Sequence, residues 1–233
     1  MAILTFDTST KVLSITLAKG KKILIQYRLN IDYTHSEYLL PLIDDAIKIA
    51  NLNKEDIEHI GVVKGPGSFT GLRIGLAVAK GLNMSLGSKL FTYTSLEAIA
   101  ANQLGSREKV LAILPAQRGE IYGGLFDVST QKPELIGDYF IGRPEEVLEV
   151  YKSLKSIRVV GAGFDKFENK ISEILRDNIV KLPPFMHLAN SSGLVAMLNY
   201  DLDNGRPSEY ATSITPFYMR LSSAEEKRLS KEN

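Results

Sequence analysis

A glycine-rich run at residues 64–82, KGPGSFTGLRIGLAVAKGL, has the residue types of a phosphate-binding loop. A Walker A loop would place Lys and Ser or Thr directly after its second glycine, because these side chains reach the terminal phosphates and magnesium. Here Leu72 and Arg73 follow Gly71, so the run is not a P-loop. Backbone amides at the start of a helix could still hold an anion, and that interpretation stays open.

The same run carries small residues at every fourth position, Gly71, Gly75 and Ala79, with a second small pair at Ala77 and Gly81. Each glycine inside a helix costs about 1 kcal/mol relative to alanine. Close approach of another backbone is the usual compensation for that cost. The partner could be the helix predicted over residues 35–51 or a helix of another chain.

A second candidate site is the DTST stretch at residues 7–10, which ends the first predicted strand. An acidic residue followed by small hydroxyl residues suits phosphate or magnesium binding, although a hairpin turn uses the same residue types. We predict a vestigial phosphate turn formed by Asp7, Thr8 and Ser9. A glycine turn in VVGAG at residues 159–163 follows another predicted strand and could lie near a phosphate, but a plain strand-to-helix turn is the favoured interpretation.

Other catalytic patterns are missing from the sequence. The three histidines, His35, His59 and His187, are not spaced as two metal ligands on one helix, and the chain contains no cysteine and no Gly-x-Ser-x-Gly elbow. The 28 basic and 27 acidic residues nearly balance, which gives no long-range attraction to nucleic acid or membrane. Without a signal peptide or an apolar span in the sequence, we expect a cytoplasmic protein.

The elements that must position these residues form a repeated pattern. The first hundred residues predict β-β-β-α-β-α-β-α, with a helix beginning after Thr34, where Glu37 completes a capping box. The remainder predicts β-β-β-α-β-α and a further helix, including helices over 143–154 and 188–202. We therefore predict an internal duplication, with one domain at 1–104 and a second at 105–233, the latter ending in a solvated tail.

Five motifs in this order resemble the bacterial TsaB family, also called YeaZ. They are FDTST at 6–10, HSEYLLPLID at 35–44, GPGSFTGLRIGLAVAKGL at 65–82, RGEIY at 118–122, and YMR with a following AEEK near the end. The resemblance implies an α/β fold of two RNase H-like lobes in the acetate and sugar kinase/Hsc70/actin (ASKHA) class. This expectation agrees with the predicted duplication.

The resemblance also implies a role without catalysis. TsaB-like proteins are dimerisation subunits for TsaD, which makes N6-threonylcarbamoyladenosine at position 37 of tRNAs reading ANN codons. TsaE, a small ATPase, is the third member. The implied partners are therefore a TsaD-like protein, a TsaE-like protein, a second copy of the chain and, through the complex, tRNA. No firm cofactor is implied, and ATP or ADP is expected only at a complex interface.

Two departures from related sequences concern chemistry. The stretch TSLEAI at 94–99 places Ser95 and Ile99 where the catalytic relative has two metal-binding histidines. A hydroxyl and a hydrocarbon do not replace imidazole ligands, which argues against a transferase or a metallopeptidase. The stretch PAQRGEIY has Pro115 and Gln117 where relatives have Asp-Ala-Arg, which argues against nucleotide hydrolysis. An ATP-dependent small-molecule kinase of the ASKHA class is the alternative.

The resemblance implies that the two helices of the N-terminal lobe pack against a second chain, either another copy or TsaD. The small residues at every fourth position would let the helices approach closely, and Leu39, Ile43, Leu72 and Leu76 would add apolar area to the contact. The predicted interface residues are His35, Leu39, Ile43, Gly71, Leu72, Gly75, Leu76 and Ala79.

Overall fold

A computed structural model describes residues 1–30 and 35–220 of the chain. The first lobe is built on a five-stranded sheet in the order β3-β2-β1-β4-β5. The first three strands are antiparallel neighbours, and β4 and β5 continue parallel to β1. The strands are β1 (Ala2–Asp7), β2 (Leu13–Lys19), β3 (Lys22–Leu29), β4 (Ile57–Val63) and β5 (Lys89–Tyr93).

The second lobe repeats this arrangement. Its strand order is β8-β7-β6-β9-β10, again with three antiparallel strands followed by parallel ones. The strands are β6 (Lys109–Pro115), β7 (Ile121–Asp127), β8 (Glu134–Gly142), β9 (Ile157–Val160) and β10 (Ile179–Val180). The shared topology confirms the predicted duplication and the α/β fold of two RNase H-like lobes, although β10 was not predicted.

Six α-helices connect or cover these strands within the described residues. They are α1 (His35–Ile49), α2 (Phe69–Leu86), α3 (Ser95–Ala101), α4 (Pro144–Val147), α5 (Ala162–Leu175) and α6 (Ser192–Asp203). Thr34, the predicted cap of α1, lies outside the described residues. None of the helices in these ranges is long and apolar enough to cross a membrane.

Two predicted helices are shorter than expected. The helix predicted over 143–154 ends at Val147 and is followed by a 3₁₀ turn, Glu149–Tyr151. This tighter turn accompanies packing of the Tyr151 ring against Phe140, with ring centroids 5.8 Å apart. The helix predicted over 188–202 begins at Ser192, where the side chain of Asn190 accepts a hydrogen bond from the first helical amide.

The two faces of the first sheet are covered by different parts of the chain. Helices α1 and α2 pack on one face, and α6 packs against β1, β2 and β4 on the other. A buried hydroxyl cluster fixes the start of α6, because Ser191 Oγ lies 2.8 Å from Thr16 Oγ1 and 3.0 Å from Ser14 Oγ. The segment 105–233, predicted as the second domain, thus contributes α6 to the packing of the first lobe.

Helix α3 lies between the lobes. Its residues Ala98 and Ala101 join the apolar cluster that contains α6, whereas Leu96 and Ile99 join the cluster built on β6 and β7. One short helix therefore contributes to the cores on both sides, and the adjacent strand ends face a common cleft.

Candidate functional site

The turn that follows β1 carries the predicted phosphate turn, Asp7, Thr8 and Ser9. Asp7 is buried, and its Oδ1 accepts a hydrogen bond from the amide of Ser9 at 2.7 Å. Burial raises the pKa of the Asp7 carboxyl, while the hydrogen bonds from Ser9 and the nearby His35 act in the opposite direction. The turn thus keeps an acidic group in an environment that disfavours its charge.

The glycines of α2 pack against this turn of the same chain. Thr8 Oγ1 donates a hydrogen bond to the carbonyl of Gly71 at 2.8 Å. A Cβ atom at Gly71 would lie 2.0 Å from the carbonyl oxygen of Thr8, and one at Gly75 would lie 2.3 Å from Thr8 Oγ1. No side chain fits at such distances, so the missing Cβ atoms are what allow the helix and the turn to touch.

The glycine-rich loop before α2 also packs against the turn that follows β1. A Cβ at Gly67 would lie 2.2 Å from the carbonyl oxygen of Ser9, which accepts a hydrogen bond from the Ser68 amide at 2.7 Å. The Ser68 side chain caps the helix by accepting from the Gly71 amide at 3.2 Å. These contacts explain the loop by internal packing, and anion binding by the remaining amides stays a prediction.

The predicted interface residues lie in the interior of the chain. Leu39, Ile43, Leu72, Leu76 and Ala79 are each at most 3% exposed, and Gly71 and Gly75 are buried as well. His35 is half-buried, with Nε2 2.7 Å from the carbonyl oxygen of Thr10. The burial of the other seven residues corrects the prediction that they form a surface for a second chain, and for His35 that role stays a prediction. The spacing identified a close approach, but the approaching partner is the turn after β1.

The second small pair of α2 points outward instead. Ala77 and Gly81 are exposed, and a Cβ at Gly81 would meet no atom within 4 Å. Met84, one turn further, is 81% exposed, and Tyr38 on α1 is 40% exposed. We call Ala77, Gly81 and Met84 the outer face of α2.

A cleft of about 720 Å³ lies between the two lobes beside the turn after β1. Ser9 and Lys11 line it from the first lobe, and Gln117 and Lys166 line it from the second. The turn between β6 and β7 is the counterpart of the Asp7 turn in the duplicated topology, and Pro115 ends β6 where the acidic Asp7 ends β1. The cleft is therefore lined by one lysine from each lobe, Lys11 and Lys166.

The positions compared above with metal-binding histidines lie at the start of α3. Ser95 is buried, and its Oγ donates a hydrogen bond to the carbonyl of Pro66 at 2.6 Å. Ile99 is 4% exposed and belongs to the apolar cluster shared with β6 and β7. Thr94 and Glu97 form a capping box around them, with the Thr94 amide 2.7 Å from Glu97 Oε2. Ser95 is thus used for a hydrogen bond to the glycine-rich loop and Ile99 for packing, while Thr94 and Glu97 cap the helix.

The family comparison decides which group of proteins the chain belongs to. A family model described as TsaD, tRNA N6-adenosine threonylcarbamoyltransferase, matches residues 30–173, more than half of the chain. A protein of Buchnera aphidicola (subsp. Baizongia pistaciae), named tRNA threonylcarbamoyladenosine biosynthesis protein TsaB, is 35% identical over 76% of this chain and 82% of its own. The chain belongs to the TsaB family.

Other TsaB relatives match the chain to different extents. The Bacillus subtilis TsaB protein is 35% identical over 126 residues, and this match spans 54% of the chain and only about half, 55%, of that relative. Among solved structures, YeaZ from Pseudomonas aeruginosa superimposes with a TM-score of 0.80, covering 94% of this chain and 99% of the YeaZ chain at 24% identity. This structural likeness supports the predicted fold of the TsaB family.

Sequence reasoning did not assign a role to two motifs that the structure brings together. Glu120, in the RGEIY motif, pairs with Arg220, in the YMR motif, at 2.6 Å. Tyr218 of the same YMR motif stacks on Phe69 at the start of α2, with ring centroids 4.5 Å apart. The only sequence signal was the presence of both motifs, which gives no information on their contact.

Proposed function

We propose that the chain is a non-catalytic subunit of the assembly that makes N6-threonylcarbamoyladenosine at position 37 of tRNAs reading ANN codons. The observation that carries this proposal is the chemistry of Ser95 and Ile99. The hydroxyl of Ser95 is hydrogen-bonded to the carbonyl of Pro66, and the Ile99 side chain is hydrocarbon in an apolar cluster. Neither can supply the imidazole ligands that the catalytic relative uses. Threonylcarbamoyl transfer is then the work of a TsaD-like partner.

The outer face of α2 is the surface that we propose for this partner. Its exposed small residues, Ala77 and Gly81, let another helix approach closely, and the exposed Met84 offers an adaptable apolar contact. A second copy of the chain would use the same surface, so homodimer and mixed complex compete. A TsaE-like ATPase joins the complex, and the chain contacts tRNA only through that complex. ATP or ADP binds only at an interface of the complex, and the complex acts in the cytoplasm.

The experiment is a reconstitution with the TsaD-like and TsaE-like proteins of the same organism, tRNA, ATP and a threonylcarbamoyl donor. We expect modified tRNA with the complete set and none with this chain as the only protein. A Gly81→Arg variant should lose the activation without loss of stability, because arginine favours helix at an open position. Asn169→Arg, on the exposed side of α5, is the matched control and should activate normally.

Two results would contradict the proposal. Equal activation by the Gly81→Arg and unsubstituted proteins would exclude the outer face of α2 as the partner surface. Tight, magnesium-dependent ATP binding by the isolated chain would instead favour the kinase alternative, with the cleft beside Lys11 and Lys166 as the site.

A further inference from the structure

The segment 214–220 crosses from the first lobe to the second and contacts Phe69, a residue that lines the cleft. It starts at Ile214, which is buried in the first-lobe core and whose carbonyl accepts a hydrogen bond from Lys80 Nζ at 2.7 Å. It reaches the second lobe at Arg220, whose guanidinium meets both carboxylate oxygens of Glu120, at 2.6 and 3.2 Å. Glu120 ends the turn that carries the cleft-lining residue Gln117.

The middle of this segment is held against both lobes. The Phe217 amide donates to the carbonyl of Lys64 at 2.6 Å, and the Phe217 ring lies 5.8 Å from the ring of Tyr139 on β8. Tyr218 stacks on Phe69, and Met219 packs against the apolar cluster of the second lobe. The crossing between lobes is therefore made within four residues.

A second connection lies on another side of the molecule. Lys132, in the loop between β7 and β8, bonds at 2.7 Å to Asp201 of α6, which packs on the first sheet. Together with α3, which shares its side chains between both cores, this connection joins the lobes independently of the segment 214–220. Loss of the Arg220 contact would therefore weaken the hold of the segment on the second lobe while the lobes stay connected.

We propose that residues 214–220 are a strap that sets the opening of the inter-lobe cleft, with the Arg220–Glu120 pair as its releasable latch. The guanidinium donates one hydrogen bond to Glu120 Oε1 and makes a 2.6 Å ion-pair contact with Oε2, and each side chain is about four-fifths buried, at 21% and 20% exposure. A charge-assisted pair that is largely buried is stronger than a surface ion pair. Lobes joined by limited contacts move relative to one another unless a contact of this kind restrains them. The inference does not depend on the proposed partner role.

The absence of cysteine from the chain allows a direct test. Cysteines introduced at the exposed positions Glu55, in the first lobe, and Glu173, in the second, carry spin labels for pulsed electron double resonance. We expect one narrow distance distribution for the otherwise unsubstituted protein. Arg220→Gln and Glu120→Gln should each broaden the distribution, and the charge exchange E120R/R220E should narrow it again. Lys170→Gln, which removes an ion pair with Glu145 inside the second lobe, is the matched control and should leave it unchanged.

The proposal is overturned if Arg220→Gln and Glu120→Gln both keep the narrow distribution. Circular dichroism of each labelled variant verifies that it is folded. Should a variant fail to fold, Arg220→Lys, which keeps the positive charge but loses the planar guanidinium, is measured instead. A broadened distribution in Arg220→Lys supports the latch, and a distribution as narrow as that of the protein without latch substitutions contradicts it.

Discussion

Two glycines of α2 lie six residues apart in very different surroundings, and this contrast gives a sharp prediction. A Cβ atom at Gly75 would lie 2.3 Å from Thr8 Oγ1, an atom that is itself held by its hydrogen bond to Gly71. A Cβ atom at Gly81 would meet nothing within 4 Å. We therefore compare Gly75→Ala with Gly81→Ala.

The expected magnitudes follow from two effects. Alanine favours the helix over glycine by about 1 kcal/mol at either position. At Gly75 this gain is outweighed by overpacking, which costs about 1–3 kcal/mol when neighbours must shift. Gly75→Ala should thus lower the free energy of unfolding by up to about 2 kcal/mol, and Gly81→Ala should raise it by up to about 1 kcal/mol.

Urea unfolding monitored by circular dichroism measures both changes. A third variant, Thr8→Ala, removes the clashing hydroxyl, and the nearest remaining Thr8 atom, Cβ, lies at an ordinary 3.5 Å from where the alanine Cβ would be. The double variant T8A/G75A should therefore be more stable than additivity predicts, by about 0.5–3 kcal/mol. Equal effects of Gly75→Ala and Gly81→Ala, or strict additivity with Thr8→Ala, would refute the packing of α2 on the turn.

Two further predictions concern buried acids. Burial raises the pKa of Asp7, so its charge opposes folding at neutral pH. Asp7→Asn should therefore raise the thermal stability of the protein at pH 7. This gain in stability should shrink as pH falls towards the ordinary carboxyl pKa of about 3.9. An unchanged gain at pH 4 would contradict this. Burial alone would raise the pKa of Asp201, but Lys132, Arg206 and Tyr93 outweigh it and lower the pKa. The ionised Asp201 carboxylate therefore stabilises the folded protein above about pH 4, and this stabilisation is lost as pH falls further. Asp201→Asn should lower the free energy of unfolding in urea by about 3 kcal/mol at pH 7 and by less at pH 3. Asp203→Asn, on the same helix but in an exposed pair, should change stability by less than about 0.5 kcal/mol, and an equal loss for both variants would refute the network.

Much of the fold was predictable because its signals are local. Alternating strands, turn residues and the apolar stripe of α1 identify the repeated order of elements, which the two sheets confirm. The placement of α6 was not predictable, since Ser191 makes its contacts with Ser14 and Thr16 across more than 170 residues of sequence. Periodicity describes which face of a helix is apolar, but not which sheet covers it.

The candidate site shows the same limit more clearly. Small residues at every fourth position of α2 correctly indicated a close approach, but the partner is the turn at Thr8 for Gly71 and Gly75. The other small pair, Ala77 and Gly81, is the exposed one. The two sets lie on different faces of one helix. Which face points inward depends on the side of the helix on which the sheet lies. The contact of Glu120 with Arg220 joins residues 100 positions apart and has no local signal.

The central claim is that this TsaB-family chain acts through a partner bound at the outer face of α2. The most direct test is the solution mass of the purified protein, alone and mixed with the TsaD-like protein of the same organism, by light scattering after size-exclusion chromatography. We predict a homodimer that converts to a mixed complex, with both species lost in the Gly81→Arg variant. A protein that stays monomeric and indifferent to the TsaD-like protein would contradict the account.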